Sequence, residues 1–177
     1  GKVDGIGESA AESIVNSAMD LADVGGFETG TDRYEQRQQM EKISTNSEQF
    51  NELLEGGIET QSITELYGEF GAGKTQIAHH LAVNVQRSVE DGGLGKGAVY
   101  IDTEDTFIPE RIEQMAEAQD MDAEEVLDNI HVARAFNSDH QMLLAEEAKT
   151  ICEENDIGLI VVDSLTAHFR SEYVGRG

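Results

Sequence analysis

The chain is poor in several residue types, and each shortage narrows what it can be. Its 177 residues include one cysteine, one proline and no tryptophan, and only 6% are aromatic. The single cysteine, Cys152, excludes a disulfide framework and a metal site built from several cysteines. No apolar run approaches the ~18 residues of a membrane span, and the first residues contain no apolar signal-peptide core. We therefore expect an intracellular, cytoplasmic protein without a membrane partner.

Basic residues are also scarce. The chain has 36 acidic and 12 basic residues, so its formal net charge is −24. The acidic residues are spread along the chain, and buried-strand patterns such as VYID and LIVVD argue against a disordered acidic protein. At molar salt the Debye length falls to about 3 Å, so repulsion between surface carboxylates is screened. The charge therefore predicts a halophilic protein whose folding improves as KCl is added.

Short apolar runs alternate with helical periodicity in the second part of the chain. This alternation predicts an α/β fold with a mostly parallel sheet that is covered on both faces. The four predicted strands are residues 62–68, 98–102, 129–135 and 158–163. Pro109 is expected in the first turn of one intervening helix and Asp122 at the N-cap of another, while Ser138 and Gln141 form the capping box of a third. A short helix is expected in the linker at residues 25–40.

The segment GEFGAGKT, residues 68–75, matches the phosphate-binding pattern G-x-x-x-x-G-K-[ST] between a predicted strand and a predicted helix. Its glycines allow backbone N–H groups to turn toward phosphate oxygens without a Cβ clash. Lys74 offers a positive charge to the β- and γ-phosphates, and Thr75 offers a hydroxyl to Mg²⁺. The helix that begins here adds the partial positive charge of its N-terminus. The expected nucleotide contacts in this loop are Gly68, Glu69, Phe70, Gly71, Ala72, Gly73, Lys74 and Thr75.

Acidic residues end two of the predicted strands. The apolar run LIVV is followed by Asp163, which places a carboxylate at the ligand-binding edge of an α/β sheet. With the phosphate loop nearby, we expect Asp163 to hold Mg²⁺ rather than only to cap the next turn. The run YIDTED supplies Asp102, Glu104 and Asp105. Either one of these three polarises the attacking water in γ-phosphate hydrolysis, or all three form a solvated acidic turn.

Several segments together resemble the RecA-like strand-exchange family, and within it the archaeal RadA recombinases. They are GEFGAGKTQ, YIDTEDTFIPERI, ARAFNSDHQ and LIVVDSLTAHFRSEYVGRG, and the resemblance extends over essentially the whole chain. Together with the acidity it points to a haloarchaeal member. It implies a RecA-like P-loop ATPase core over residues 41–177, incomplete at its C-terminus, so that the sequence is interpreted as part of a longer protein. The 177 residues alone are therefore expected to hydrolyse ATP only weakly.

The resemblance also implies roles that spacing does not give. Glu104 occupies the position of the family's water-activating glutamate, so Glu104 and Lys74 are the expected catalytic residues. Arg111 matches an arginine that stacks on adenine, and Gln76 matches a nucleotide-sensing glutamine. The implied cofactors are ATP and Mg²⁺, with Thr75 and Asp163 as the metal-holding residues.

DNA contacts are implied near both ends of the chain. Residues 1–24 resemble the C-terminal part of a helix-hairpin-helix domain, in which backbone N–H groups of a Gly-x-Gly turn bind DNA phosphates without reading sequence. Gly5, Ile6 and Gly7 are the matching positions. Arg176 lies where the family's first DNA-binding loop begins, and it is a further expected DNA contact.

Assembly with further copies of the chain is implied by residues 25–40, which resemble a linker with a polymerisation motif. Phe27 would insert into the neighbouring subunit and contribute to a head-to-tail contact. Gly30 departs from the alanine that many relatives have there. The implied partners are single-stranded and double-stranded DNA and a homo-oligomeric filament or ring, associated with the nucleoid.

Three function hypotheses remain at this point. The leading one is a DNA-dependent ATPase that assembles on single-stranded DNA and drives strand exchange in repair and recombination. The second is a recombinase paralogue or mediator that binds ATP and partner proteins with little hydrolysis. The third is a small-molecule P-loop kinase, which needs an acceptor pocket and an arginine-rich lid that we do not find in the sequence. ATPase rates with and without single-stranded DNA separate the three.

Overall fold

The computed structural model describes residues 28–172, and the chain divides between Met40 and Glu41 into two compact units. In the first unit the described part contains helix α1 (Gly30–Gln38). The Thr29 hydroxyl accepts from the Asp32 backbone N–H, and the Asp32 carboxylate accepts from the Thr29 backbone N–H. This reciprocal cap sets the start of α1 and confirms the short helix expected here.

Three parallel strands form the central sheet of the second unit, in the order β4–β3–β5. They are β3 (Gly97–Asp102), β4 (Ile130–Arg134) and β5 (Ile157–Asp163). In their register, Asp102 lies opposite Arg134 on one side and Asp163 on the other. The three strands therefore end level with one another, and the polar residues that follow them share one edge of the sheet.

Helices cover both faces of this sheet, as the alternating pattern predicted. The α-helices described in the second unit are α2 (Glu48–Leu53), α3 (Lys74–Asn84), α4 (Pro109–Glu117), α5 (Ala123–Asp128), α6 (Ser138–Glu154) and α7 (Ala167–Glu172). Ala98 and Tyr100 of β3 pack in one cluster with residues of α3, α4 and α5, whereas Val99 and Ile101 pack in another with residues of α6. None of the helices within residues 28–172 has the length and apolar character needed to cross a bilayer.

The helix starts follow local sequence chemistry. Pro109 occupies the first turn of α4, and the Asp122 carboxylate accepts from the Glu125 backbone N–H at the start of α5, so both predictions are confirmed. The capping box predicted from Ser138 and Gln141 is wrong by one residue. Asn137 is the N-cap of α6 and accepts from a backbone N–H at 2.7 Å. The Ser138 hydroxyl is directed instead to the carboxylate of Glu172 on α7.

The predicted strand at residues 62–68 is also wrong. A strand requires a hydrogen-bonded neighbour, and no described strand lies against this segment. Ile63 and Tyr67 are accordingly 100% and 90% exposed. The second unit has instead a short antiparallel pair, β1 (Lys42–Ile43) with β2 (Ile58–Glu59), which periodicity did not reveal because each strand has two residues.

The C-terminal half of α3 is the most deeply buried helical segment near the site. Leu81 is 6% exposed, and Val83 is fully buried. Both belong to the same apolar cluster as Tyr100 of β3 and Ile112 of α4. This packing anchors α3 against the sheet. The candidate phosphate-binding segment, residues 68–75, leads directly into the first turn of α3.

Candidate functional site

The phosphate-binding segment depends on left-handed backbone at two glycines. Gly71 has φ 79° and Gly73 has φ 95°, a conformation that residues with a Cβ rarely adopt. No neighbouring atom lies within 4 Å of the place of a Cβ at either position, so backbone conformation rather than crowding requires glycine. Gly73 is the N-cap of α3 and provides no capping side chain. The first backbone N–H groups of this eleven-residue helix therefore receive no hydrogen bond from the N-cap side chain.

Lys74 is held over the same segment by main-chain oxygens. Its ammonium donates to the carbonyls of Gly68 and Glu69, both at 2.9 Å. An ammonium has three N–H donors, so one remains for a ligand after these two bonds are made. The lysine charge is thus positioned before any phosphate arrives.

The segment meets the end of β5 at a short contact between Thr75 and Asp163. The Thr75 hydroxyl donates to the Asp163 carboxylate at 2.6 Å, although the two residues are 88 positions apart in the chain. The hydroxyl of Tyr100 approaches the same carboxylate oxygen at 3.3 Å. Burial, followed by the charge of Asp163, raises the pKa of Tyr100, so its hydroxyl keeps its proton.

Thr75 and Asp163 together fit Mg²⁺. This ion prefers hard oxygen ligands, and in nucleotide sites it is bound by one or two protein oxygens together with phosphate and water. A hydroxyl and a carboxylate oxygen 2.6 Å apart supply such a pair. Between residues 28 and 172 there is no group of three or more histidine, cysteine or acidic side chains arranged to hold a metal.

The first of the three acids in the run YIDTED, Asp102, is the last residue of β3 and has a structural role. Asp102 is 3% exposed, and its carboxylate accepts from the backbone N–H groups of Glu104, Thr106 and Phe107 at 3.1, 2.8 and 2.9 Å. These bonds use both carboxylate oxygens and shape the turn that leaves β3. The Asp102 carboxylate therefore stabilises the turn that follows β3.

The other two acids point to different neighbours. Asp105 forms an ion pair with Arg134 at the end of β4, at 2.9 Å. The Glu104 carboxylate accepts from the hydroxyl of Ser164, which directly follows Asp163, at 3.0 Å. Glu104 is therefore the acid that faces the Asp163 end of β5, and the geometry separates three acids that spacing alone left equivalent.

The geometry agrees with what comparison to known proteins finds. A family model described as Rad51 matches residues 36–177. The chain belongs to the Rad51 family. It is 52% identical to the DNA repair and recombination protein RadA of Haloferax volcanii over 97% of the chain, and 50% identical to the RadA protein of Haloquadratum walsbyi over the same share. It is also 52% identical to RadA of Methanoculleus marisnigri, again over 97% of the chain.

Family membership confirms the resemblance to archaeal RadA recombinases and the interpretation of the fold as part of a RecA-like α/β core. The chain spans 59% of the length of the Haloferax volcanii protein and 56% of that of Methanoculleus marisnigri. Its acidic composition fits its similarity to haloarchaeal members of the Rad51 family.

Two residues to which the family resemblance assigns nucleotide contacts are hydrogen-bonded to each other. The Arg111 guanidinium Nε donates to the side-chain carbonyl oxygen of Gln76 at 2.8 Å, and its NH1 donates to Gln114 at 2.9 Å. Gln76 lies in the first turn of α3 and Arg111 in α4. Stacking of Arg111 on adenine and nucleotide sensing by Gln76 stay predictions.

Behind the site lies a buried aromatic cluster. The ring of His79 stacks on Tyr100 at 5.4 Å between centroids and lies 5.3 Å from the ring of Phe107. Burial lowers the pKa of His79, so it is neutral near pH 7. His79 thus packs in the interior.

Of the remaining expected site residues, the structure describes some and not others. Phe70 of the phosphate-binding segment is fully exposed. The expected DNA and polymerisation positions Gly5, Ile6, Gly7, Phe27 and Arg176 lie outside the described residues.

Sequence reasoning missed Ser164 and Tyr100 as neighbours of the acids. The signal that could have found Ser164 is a hydroxyl residue directly after the strand-terminal Asp163. No comparable signal exists for Tyr100, because its apolar neighbours in β3 mark it only as a core residue.

Proposed function

We propose that this chain is the nucleotide-binding part of an ATP-dependent DNA recombinase. Such a protein would assemble on single-stranded DNA, hydrolyse ATP and exchange DNA strands in repair and homologous recombination. The observation that carries the proposal is the 2.6 Å contact between Thr75 and Asp163, because it brings the phosphate-binding segment and the candidate metal residue to one place beside Glu104. The names of the relatives, which describe DNA repair and recombination, support the process.

ATP binding would use charge and backbone together. The β- and γ-phosphates would meet the backbone N–H groups around Gly71 and Gly73, the remaining N–H of Lys74 and the start of α3. Thr75 and Asp163 would hold Mg²⁺, which neutralises phosphate charge when it is bound. Binding of phosphate by these groups does not require a protein surface with net positive charge.

Hydrolysis would use Glu104. A water molecule attacks the γ-phosphorus, the bond from phosphorus to the oxygen of the ADP leaving group breaks, and Glu104 takes the proton of the water. One carboxylate oxygen of Glu104 is already hydrogen-bonded to Ser164, which leaves the other for the water. Arg111 would stack on adenine, and its bond to Gln76 would join the base contact to the phosphate end of α3.

DNA binding and assembly would involve residues other than those proposed to bind and hydrolyse ATP. Gly5, Ile6, Gly7 and Arg176 would contact DNA phosphates, and Phe27 would insert into the next subunit of a filament or ring. Phosphate contacts release counterions and weaken as salt rises, so DNA affinity must be carried by local groups in a chain of net charge −24. The protein would act inside the cell, at the nucleoid.

The test is ATP hydrolysis by the chain with and without single-stranded DNA, in molar KCl. We expect turnover by these 177 residues alone to be weak, since residues 41–177 are interpreted as an incomplete core. DNA should still stimulate it, and Lys74→Ala should abolish it. The matched control is Lys149→Ala, which removes one exposed lysine that is paired with Glu146. Tight ATP binding with near-zero turnover at every DNA concentration would instead favour the ATP-binding mediator. Turnover that requires a small-molecule acceptor would contradict both.

Salt is itself a test of the acidic surface. Screening of 36 acidic side chains should make the protein more stable as KCl rises from dilute buffer to molar concentration. If screening recovers ~2 kcal/mol, the melting temperature rises by about 4–8 °C for a chain of this length. Circular dichroism at increasing KCl measures the change. Full folding in dilute buffer with no gain from salt would contradict the halophilic interpretation.

A further inference from the structure

Ser164 is not itself expected to react, yet it touches the residue expected to activate water. Its hydroxyl donates to Glu104 Oε1 at 3.0 Å. Glu104 is exposed, and among the described residues Ser164 provides the side-chain donor to its carboxylate. A free glutamate side chain samples many rotamers, and fixing it in one of them costs conformational entropy. If a hydrogen bond fixes the side chain beforehand, this cost is not added to the barrier of the reaction.

The serine that makes this contact is itself held in place by backbone. The Ser164 N–H donates to the Thr103 hydroxyl at 2.7 Å, and that hydroxyl donates to the Ser164 carbonyl at 3.0 Å. The Thr103 N–H donates to the Asp163 carbonyl at 2.8 Å. The ends of β3 and β5 are therefore joined independently of the Ser164 hydroxyl, which leaves that hydroxyl free to act on Glu104.

We propose that Ser164 is a positioning residue for Glu104, whose hydroxyl holds the carboxylate beside Asp163 with one oxygen turned toward the attacking water. The inference rests on the proposed function, because it gives Glu104 its task. In this proposal Ser164 has no direct part in binding ATP or the water. It acts only by restricting where the Glu104 carboxylate lies.

The first experiment replaces the hydroxyl alone. Ser164→Ala removes the contact to Glu104 and keeps both backbone bonds to Thr103. We expect single-turnover hydrolysis at saturating ATP to slow about 10-fold, with the KM for ATP and the urea unfolding midpoint unchanged. Ser164→Thr keeps a hydroxyl and should restore the rate. The matched control is Ser171→Ala, which removes a hydroxyl bonded to a backbone carbonyl on exposed α7 and should hydrolyse at the wild-type rate.

The second experiment does not depend on hydrolysis. Three-bond NMR couplings across χ1 of Glu104, assigned with a Glu104→Gln sample, report whether the side chain keeps one rotamer. One rotamer in the wild type and in Ser164→Thr, with averaging in Ser164→Ala, is the expected result. Identical couplings in Ser164→Ala and wild type would overturn the proposal. A wild-type protein that does not hydrolyse ATP would count against the proposed function alone, because these couplings would still decide the positioning.

The rates alone can also overturn the proposal. A Ser164→Ala rate within twofold of wild type would show that the contact does not matter to the reaction. A faster rate would show that Ser164 restrains Glu104 rather than positions it. Equal loss of rate in Ser164→Ala and Ser164→Thr would show that the effect does not come from the hydroxyl.

Discussion

The two halves of helix α3 are held by different forces. At its start, Lys74 and Thr75 are only half-buried and reach across to carbonyls and to the Asp163 carboxylate. At its end, Leu81 and Val83 are buried in the apolar cluster under the sheet. One end is thus arranged by polar contacts that a ligand can replace, and the other by packing that a ligand never touches. Substitutions in the two halves should therefore separate function from stability.

The largest expected effect is at the packed end. Leu81→Ala leaves a cavity in the cluster around Tyr100 and Ile112, and we expect a loss of about 2–4 kcal/mol in the free energy of unfolding. Urea unfolding in molar KCl measures it. Val89→Ala, at a residue that is 62% exposed, is the control and should change stability by less than ~0.5 kcal/mol. A Leu81→Ala loss as small as that of the control would mean that packing does not anchor α3.

The next effect is at the polar end. Lys74→Ala removes a charge-assisted contact to phosphate, so ATP affinity should fall about 10- to 100-fold, while unfolding free energy changes by less than ~0.5 kcal/mol. A fluorescent ATP analogue and urea unfolding measure the two quantities. Lys149→Ala changes net charge equally and should leave affinity unchanged. Parallel loss of stability and affinity in Lys74→Ala would erase the distinction between the halves.

A smaller effect is expected at the partner of Thr75. Asp163→Asn weakens the Mg²⁺ site, so nucleotide affinity with Mg²⁺ should fall about 10-fold and affinity without Mg²⁺ should not. Calorimetric titrations with and without the ion measure the difference. Asp156→Asn removes the same charge just before β5, where Asp156 pairs with Lys96, and serves as control. An equal fall with and without the ion would exclude Asp163 as a metal residue.

The smallest effect concerns pH and His79, which lies between the two ends. Because burial lowers its pKa in the folded state, below pH ~6.5 the unfolded chain takes up a proton that the folded chain does not. Stability should therefore fall as pH drops below 6.5, by up to about 1.4 kcal/mol per pH unit for this group. Burial lowers the pKa of His80 as well, so the two histidines contribute in the same direction.

The comparison is His79→Phe, which keeps an aromatic ring against Tyr100 and cannot be protonated. Its stability should fall less steeply than that of the wild type between pH 7.5 and pH 5.5, as measured by urea unfolding. The matched control for His79→Phe is His140→Gln, which removes a histidine from α6 instead. An unchanged slope in His79→Phe would show that His79 is protonated in the folded state or that its burial is relieved.

Much of the fold could be predicted because its three strands are apolar runs of the right length with turn residues at their ends. The unpaired segment at residues 62–68 could not be, because whether an apolar run becomes a strand depends on a neighbour far along the chain. The two-residue strands β1 and β2 carry too little periodicity to be recognised. The shifted start of α6 follows from Glu172, 34 residues away, which takes the Ser138 hydroxyl that the local pattern assigned to a cap.

The candidate site, like the fold, could be predicted from the sequence only in part. Lys74 and Thr75 could be predicted because the phosphate pattern is local, and Asp163 because a carboxylate ends a buried strand. Which acid at the C-terminal end of β3 faces the site could not be derived from spacing, because Asp102, Glu104 and Asp105 lie within four residues. Their separate hydrogen-bond partners decide it, and those come from the turn itself, from β4 and from the residue after β5.

The left-handed backbone at Gly71 and Gly73 has a consequence for how such a chain evolves. Apart from the Lys74 ammonium, the groups proposed to meet phosphate are peptide groups, which are the same in every protein, and mutation of surface side chains cannot remove them. A lineage can therefore exchange its outer residues for acidic ones over generations without rebuilding the pocket. The chain is 52% identical both to the Haloferax volcanii protein and to that of Methanoculleus marisnigri. We expect the residues shared with these relatives to concentrate around the glycines. Surface residues should differ more, because drift and selection by salinity act on them.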